Sequence, residues 1–384
     1  MIRNAPAALP TTLRFMGSRL AARLRGGGRS PAASAFRARV ERVVAALGER
    51  VLRCDFVSVP ARSDPWLASG VRLEAGQPIT LLAEGRVYLS RLFDVGFGPG
   101  IGLWQRVGDG SLAKLAGSAT TFVADRSGML FFTSKPPGEF ADRSGSFEAE
   151  PARSELAGGF CVAVIQWRSA AAESLAAAAL LDDSLFAPAL RRLREPLVPP
   201  PGWQYLWRLG PSEVFTTDRQ DGSLCCDARA DASILQFPVR RVLTRASRLC
   251  WSWRVEQLPS RLPEHIQPTH DYLSLAVEFD DGRDLTYLWS ASLPKDTIFQ
   301  CPLPWWDQRE THWVVRSGTQ ELGGWLDESR DLLADCEQAL GGAAPREVVG
   351  VWLIAVSVFQ GHEGRCRYRA IALEDGDGRA VVHP

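Results

Sequence analysis

The chain has 384 residues, 44 basic and 44 acidic side chains, and a hydrophobic share of 46%. That length suits two or three domains at roughly 100–200 residues each, and zero net charge gives no electrostatic reason for a nucleic-acid partner. No apolar run approaches the roughly 20 residues of a membrane-spanning helix.

The first 54 residues read as a basic helical arm. No acidic residue precedes Glu41, whereas eight Arg occur by Arg39. Leu13, Met16, Leu20 and Leu24 recur at helical spacing, with Arg14, Arg19, Arg23 and Arg25 between them. Such a face suits docking on an acidic membrane surface or a protein partner. A partly ordered arm or an organelle-type transit peptide are the other readings. No uninterrupted apolar segment of the secretory kind follows, so the expected location is cytoplasmic. After Gly26-Gly27-Gly28, residues 35–54 predict a helix with Phe36, Val40, Val43, Val44, Leu47 and Val51 on one face.

Residues 55–168 turn to strand patterns. Val71 and Leu73 alternate with polar residues, 79–83 resumes after Gly76, and 128–132 and 160–167 are further strands. The Gly-rich run 96–100 reads as a turn and not a phosphate cradle, because Pro99 lacks an amide donor and no helix is expected after it. Residues 169–201 predict a helical linker, ended by Pro196 and the stiff Pro199-Pro200-Pro201 spacer. The second sandwich is expected over 202–384. Its strand-like runs are Phe237, 249–255, 273–279, 285–289, 313–315, 348–358 and 368–373, and residues 249–373 hold eight of the thirteen Trp. Asp280-Asp281-Gly282 is a turn signal between two of these runs. Asp327 is the expected cap of a helix carrying Leu332, Leu333, Cys336 and Leu340, stopped by Gly341-Gly342. The expected fold is mainly β: two antiparallel β-sandwich, jelly-roll-like domains with an N-terminal helical arm and a helical linker.

Eight cysteines fall at 54, 161, 225, 226, 250, 301, 336 and 366 without a Cys-x-x-Cys pair. Neither a zinc knuckle nor a thioredoxin-type site is written in that spacing. Cys161, Cys250 and Cys336 read as small core residues. The vicinal Cys225-Cys226 is a candidate redox pair only at the cost of strain. Thiols without a framework fit a reducing compartment.

Two stretches resemble known families. Trp66, Ser69-Gly70-Val71, Glu74-Ala75-Gly76-Gln77, Ile79-Thr80, Ala83-Glu84-Gly85 and the closing run 137–147 resemble the small galactose-binding bacterial lectins of the PA-I type. The resemblance implies a calcium ion in the closing loop that holds two sugar hydroxyls, with Glu139 and Asp142 as oxygen donors. Lys135 and Arg143 depart from that pattern, since cations at a dication site repel the metal. Residues 203–373 resemble a bacterial domain-of-unknown-function family, number 3047. The matching text is Trp251-Ser252-Trp253, Asp271-Tyr272-Leu273, Tyr287-Leu288-Trp289, Val314-Val315-Arg316-Ser317-Gly318, Gly324-Trp325, Glu328-Ser329-Arg330-Asp331 and Val349-Gly350-Val351. The resemblance implies a carbohydrate-binding-like sandwich. An Asp/Thr/Asn-rich run of that family is replaced here by residues 355–362, where most of the polar acceptors are gone.

Flat aromatic faces stack on sugar rings, so Trp305, Trp306 and Asp307 are the candidate ligand-binding residues. Trp251, Trp253 and Trp289 are expected in the core. His265, His270 and His312 are the clustered histidines. With Asp271 or Glu264 they offer metal ligands or a general base. Arg330 is expected to form a structural ion pair with a carboxylate.

The favoured function is non-catalytic binding of a carbohydrate or glycoconjugate, with no cofactor beyond the calcium of the lectin-like loop. Two alternatives stand beside it. One is an enzyme acting on a sugar or polyketide-like small molecule from a pocket between the sandwiches, with His270, Asp271, His312 and Arg330 as candidate catalytic residues. The other is a structural or scaffold subunit that docks through the Arg-rich arm.

Overall fold

The computed structural model describes residues 6–24, 33–62, 66–135, 142–146, 156–304, 306–376 and 378–384. The fold is mainly β and divides into two compact units, Leu20–Val198 with Trp207–Pro211, and Met1–Arg19 with Pro199–Leu206 and Ser212–Pro384. Glu139 and Trp305 lie outside the described residues.

In the first unit a five-stranded sheet runs Val51–Pro60, Ala157–Trp167, Pro78–Ser90, Val95–Phe97, with Ala119–Val123 also pairing Pro78–Ser90. A four-stranded sheet runs Leu67–Leu73, Gly128–Ser134, Leu103–Val107, Ala113–Lys114. Successive side chains on a strand point to opposite faces. Ala163, Ile165 and Trp167 therefore share one face of the five-stranded sheet and are buried under three helices, Ala33–Leu47, Ala171–Leu181 and Asp183–Arg194. Those helices supply Phe36, Val40, Val43, Leu175, Phe186 and Ala189 to the same cluster.

The local reading differs from the structure in several places. The helix expected over 35–54 ends at Leu47, where Gly48 takes the left-handed conformation (φ +55°) that closes helices, and Val51–Pro60 is a strand. The helix expected over the linker is two helices, because Asp182 caps the second by accepting from the Leu185 N–H. A four-residue helix, Pro99–Gly102, begins within the Gly-rich run. Among the described side chains of the Ala8–Leu24 helix the buried ones are Thr11 and Phe15, while Leu13 and Leu20, on the expected apolar face, are exposed.

In the second unit a seven-stranded sheet runs Gln204–Tyr205, Ala232–Val242, Glu347–Val356, Tyr272–Phe279, Asp284–Ser290, Glu310–Ser317, Ile298–Gln300. A six-stranded sheet is built on Leu224–Arg229, Glu363–Asp375, Arg248–Gln257 and Leu326–Asp331, with Phe215–Thr217 and Gly378–His383 beside them. The core between the two sheets is aromatic: Trp251 stacks on Tyr287 (5.6 Å between centroids), and Trp253 meets Trp289 at 5.5 Å. Asp-Asp-Gly makes the expected turn between Tyr272–Phe279 and Asp284–Ser290, with Gly282 at φ +80°. Asp331, not Asp327, caps the Leu332–Ala339 helix. Asp327 instead lies on a strand and accepts the Ser252 hydroxyl.

One pair in the seven-stranded sheet is parallel, Asp284–Ser290 beside Glu310–Ser317. A parallel pair needs a long crossover connection. Here the crossover is residues 291–309, which carry the short edge strand Ile298–Gln300 and then turn through Trp306. This crossover and the loop 258–271 both supply side chains to the face of the sheet opposite the aromatic core.

Candidate functional site: a buried polar face of the seven-stranded sheet

Along these strands the core face takes Leu273, Leu275 and Val277, then Leu285, Tyr287 and Trp289, then Trp313 and Val315. The alternate positions therefore face outward. They include Tyr272, Asp284, Thr286, Glu310 and His312, and all are buried. The register sets them side by side, with Asp284 opposite Glu310, Thr286 opposite His312 and Phe299 opposite His312. Cys301 follows the edge strand, and its N–H donates to the Glu310 carbonyl at 2.9 Å.

His270 comes from the loop 258–271. Its Nδ1 lies 2.6 Å from the Glu264 carbonyl oxygen, which can only accept, so Nδ1 carries the proton and Nε2 keeps its lone pair. Nε2 lies 3.5 Å from Cys301 Sγ. The His270 and His312 rings meet edge to face at 4.8 Å, and Phe299 stacks on His312 at 4.9 Å. His312 Nε2 is 3.5 Å from Glu310 Oε1, yet neither of its ring nitrogens makes a hydrogen bond. Glu310 Oε1 accepts the Tyr272 hydroxyl at 3.0 Å and lies 3.3 Å from the Thr286 hydroxyl.

Electrostatics follow from burial. Burial, with Glu310 alongside, pushes the Asp284 carboxyl well above its usual range, and burial raises Glu310 as well. Arg309 Nε, 3.6 Å from Asp284 Oδ2, opposes the rise. Burial lowers His270 to about 4 and holds His312 well below the usual imidazole range, so both imidazoles are neutral at pH 7. The Cys301 thiol is pushed well above its ordinary value by burial and by Glu310.

The other sequence-predicted residues fall elsewhere. Asp271 adjoins His270 but points away, accepting the N–H groups of Phe359 and Gln360. His265 is buried with its ring edge-on to Phe299 at 6.4 Å. Arg330 forks onto Asp335 at 2.7 and 2.8 Å and lies over the Tyr287 and Trp313 rings, on the core side of the sheet. Cys225 and Cys226 are both free thiols. Asp142 accepts the Ser144 N–H and hydroxyl in a tight turn, which holds its carboxyl below the usual range. The Arg143 guanidinium lies over Trp207 at 5.6 Å, and Lys135 is fully buried.

Trp306 is half-buried on the crossover and Asp307 is exposed. Trp306 meets the buried Trp352 edge to face at 6.5 Å. The Arg309 guanidinium lies 5.6 Å from the Trp306 ring and 5.4 Å from the Trp352 ring, and donates to Glu278 Oε1 at 3.1 Å. Burial raises Glu278, and the neighbouring Arg309 opposes that rise.

Cys301, Glu310, Tyr272 and Arg309 belong to these two groups and are not singled out by the sequence reading. The signal for Glu310 was its i, i+2 relation to His312 on a strand, which places both on one face.

Among solved structures the chain is similar to the EclA N-terminal domain, a PllA-like lectin. The identity is 20% over 31% of this chain and 99% of that one, with a TM-score of 0.23. It is also similar to the xyloglucanase domain of NopAA, a type three effector from Sinorhizobium fredii, in complex with cellobiose. There the identity is 7% over 46% of this chain and 94% of that one, with a TM-score of 0.30. No curated protein matches the chain. Residues 211–372 match the family model of DUF3047, described as a protein of unknown function, and the C-terminal part of the chain resembles that family.

Proposed function

We propose that this chain binds a carbohydrate or glycoconjugate without acting on it, through the surface formed by Trp306, Arg309 and Glu278. The observation that carries the reading is the geometry of Arg309. One guanidinium lies beside two indole rings and bonds a carboxylate, so an aromatic face, a fork of donors and a pair of acceptors adjoin one another. The C–H face of a sugar ring stacks on an indole, and its vicinal hydroxyls take the remaining donors and acceptors. Trp352, held edge-on behind Trp306, fixes the orientation of the platform.

A screen of the purified chain against a glycan array tests this. The expected result is retention of a defined saccharide class, lost in Trp306→Ala, with Trp305→Ala measured in parallel. An array with no retained glycan contradicts the reading.

A second reading, an enzyme acting on a polar small molecule, is favoured by the convergence of His270, His312 and Glu310. It differs in one requirement. His270 and His312 are fully buried, so a substrate reaches them only when the loop 258–271 or the crossover opens.

A further inference from the structure

We propose that His270, Cys301, His312 and Glu310 bind a divalent transition-metal ion, zinc by ligand type, in a closed site on the outer face of the seven-stranded sheet.

Three observations carry this. First, the donor atoms converge: one atom each from His270, Cys301 and His312 all lie within 4.8 Å of one another. Nε2 of His270 is 3.5 Å from Cys301 Sγ, and Nε2 of His312 is 3.5 Å from Glu310 Oε1. Nitrogen–sulfur and nitrogen–oxygen separations of this size are those of neighbouring ligands around a tetrahedral ion with bonds of about 2.0–2.3 Å.

Second, His312 is otherwise unexplained. A fully buried imidazole with no hydrogen bond at either nitrogen leaves desolvation uncompensated. Coordination supplies the missing partner.

Third, the surroundings are those of ligands held for a metal. The proton on His270 Nδ1 is committed to the Glu264 carbonyl, the usual way a protein fixes the tautomer of a ligating histidine and aims its other nitrogen. The Glu264 carboxylate in turn accepts the Ser290 hydroxyl and the Ala291 N–H, which ties the loop 258–271 to the sheet. Tyr272 donates to Glu310 and orients it. Asp284 lies opposite Glu310 in the register and adds a second buried carboxyl beside the site. Neutral imidazoles suit ligation, and a metal displaces the thiol proton of Cys301.

Two histidines and a thiolate converge as a zinc-type set, and Glu310, with Oε1 3.5 Å from His312 Nε2, is the fourth donor we assign, which would make the site structural. The ion would pin two irregular segments, the loop 258–271 and the crossover 291–309, onto the strand Glu310–Ser317. The proposal does not rest on the saccharide reading, although the crossover that the ion would pin also carries Trp306 and Arg309.

The test uses the full chain, folded by circular dichroism, and elemental analysis after growth with zinc. The expected result is one zinc per chain. Chelation should lower the melting temperature, and zinc should restore it. The cobalt(II)-loaded chain should show thiolate-to-cobalt charge-transfer absorption and the intense visible bands of a tetrahedral site. Cys301→Ser should remove the charge-transfer band, whereas Cys250→Ser, on a distant strand, should keep it. His312→Gln should weaken metal binding at least roughly tenfold. A natively folded wild-type chain that takes up neither zinc nor cobalt overturns the proposal without any variant. So does a charge-transfer band that survives Cys301→Ser.

Discussion

His270 and Cys301, 31 positions apart, meet with Nε2 3.5 Å from Sγ. The contact joins the loop before one strand to the crossover before another, and both partners are buried. It predicts an order of thiol reactivity. Cys225 and Cys250 are half-buried, whereas Cys226, Cys301, Cys336 and Cys366 are buried. The thiolate is the reactive form, and burial suppresses it. Brief treatment of the native chain with iodoacetamide, followed by peptide mass mapping, should modify Cys225 and Cys250 and leave Cys301 unmodified until denaturant is added. Early modification of Cys301 would contradict its burial.

Asp271 holds the same loop from its other side. Its two carboxylate oxygens accept the N–H groups of Phe359 and Gln360, and the Gln360 side chain accepts from the Arg261 and Leu262 N–H groups and donates to the Thr269 carbonyl. Asp271→Asn turns an NH2 donor toward a buried N–H. The expected cost is about 1–3 kcal/mol, read from urea midpoints, with saccharide binding retained in the folded fraction. A loss of binding without a loss of stability would move Asp271 from a structural role to a ligand-binding one.

Trp253 lies at the centre of the aromatic core, in contact with Trp251, Trp289 and Tyr368. Trp253→Leu leaves a cavity that these rigid rings cannot fill. A loss of about 3 kcal/mol is expected, near the lower end of Trp truncations, again by urea denaturation. A change below 1 kcal/mol, roughly that of a volume-conserving swap, would show that the core repacks freely.

Asp182 links two helices of the first unit. It accepts from Arg39 at 2.8 and 3.0 Å and caps the Asp183–Arg194 helix. Arg39 first, and then Ser184, hold its carboxyl below the usual carboxylate range, against the opposing effect of burial. A carboxyl whose folded value lies below its unfolded one contributes stability above the unfolded value, and that contribution is lost as pH falls through the folded value. Asp182→Ala should therefore cost about 1 kcal/mol at pH 7. The gap from wild type should narrow as pH drops below the unfolded Asp value of about 3.9. A gap that is the same at pH 7 and pH 3 would contradict the pairing.

Much of this architecture was legible because alternation reports one buried face. Leu273, Leu275 and Val277, and Leu285, Tyr287 and Trp289, announce strands directly. The outer face was harder to read. Thr286, Glu310 and His312 look like solvent-facing positions, and only the covering loop and crossover make them interior. That cover is tertiary and leaves no periodic trace. Cys301 was missed for the same reason, since it pairs with a histidine 31 residues away and not with another cysteine at short spacing. The two capping aspartates show a different limit. Asp327 and Asp331 are both good caps, and the choice fell to Asp331 because residues 326–331 were taken into a strand beside Arg248–Gln257. In the Ala8–Leu24 helix, spacing found the period but chose the leucine face over the one holding Phe15.

Calorimetric titration of a saccharide retained on the array, into wild type, Trp306→Ala and His312→Gln, separates surface binding from chemistry in the buried cluster. The account predicts that Trp306→Ala weakens binding by about 0.5–1.5 kcal/mol, on the scale of a lost aromatic contact, and that folded His312→Gln binds like wild type. The contradictory result is binding unchanged in Trp306→Ala and lost in His312→Gln. That outcome would place the ligand in the buried face and favour an enzyme.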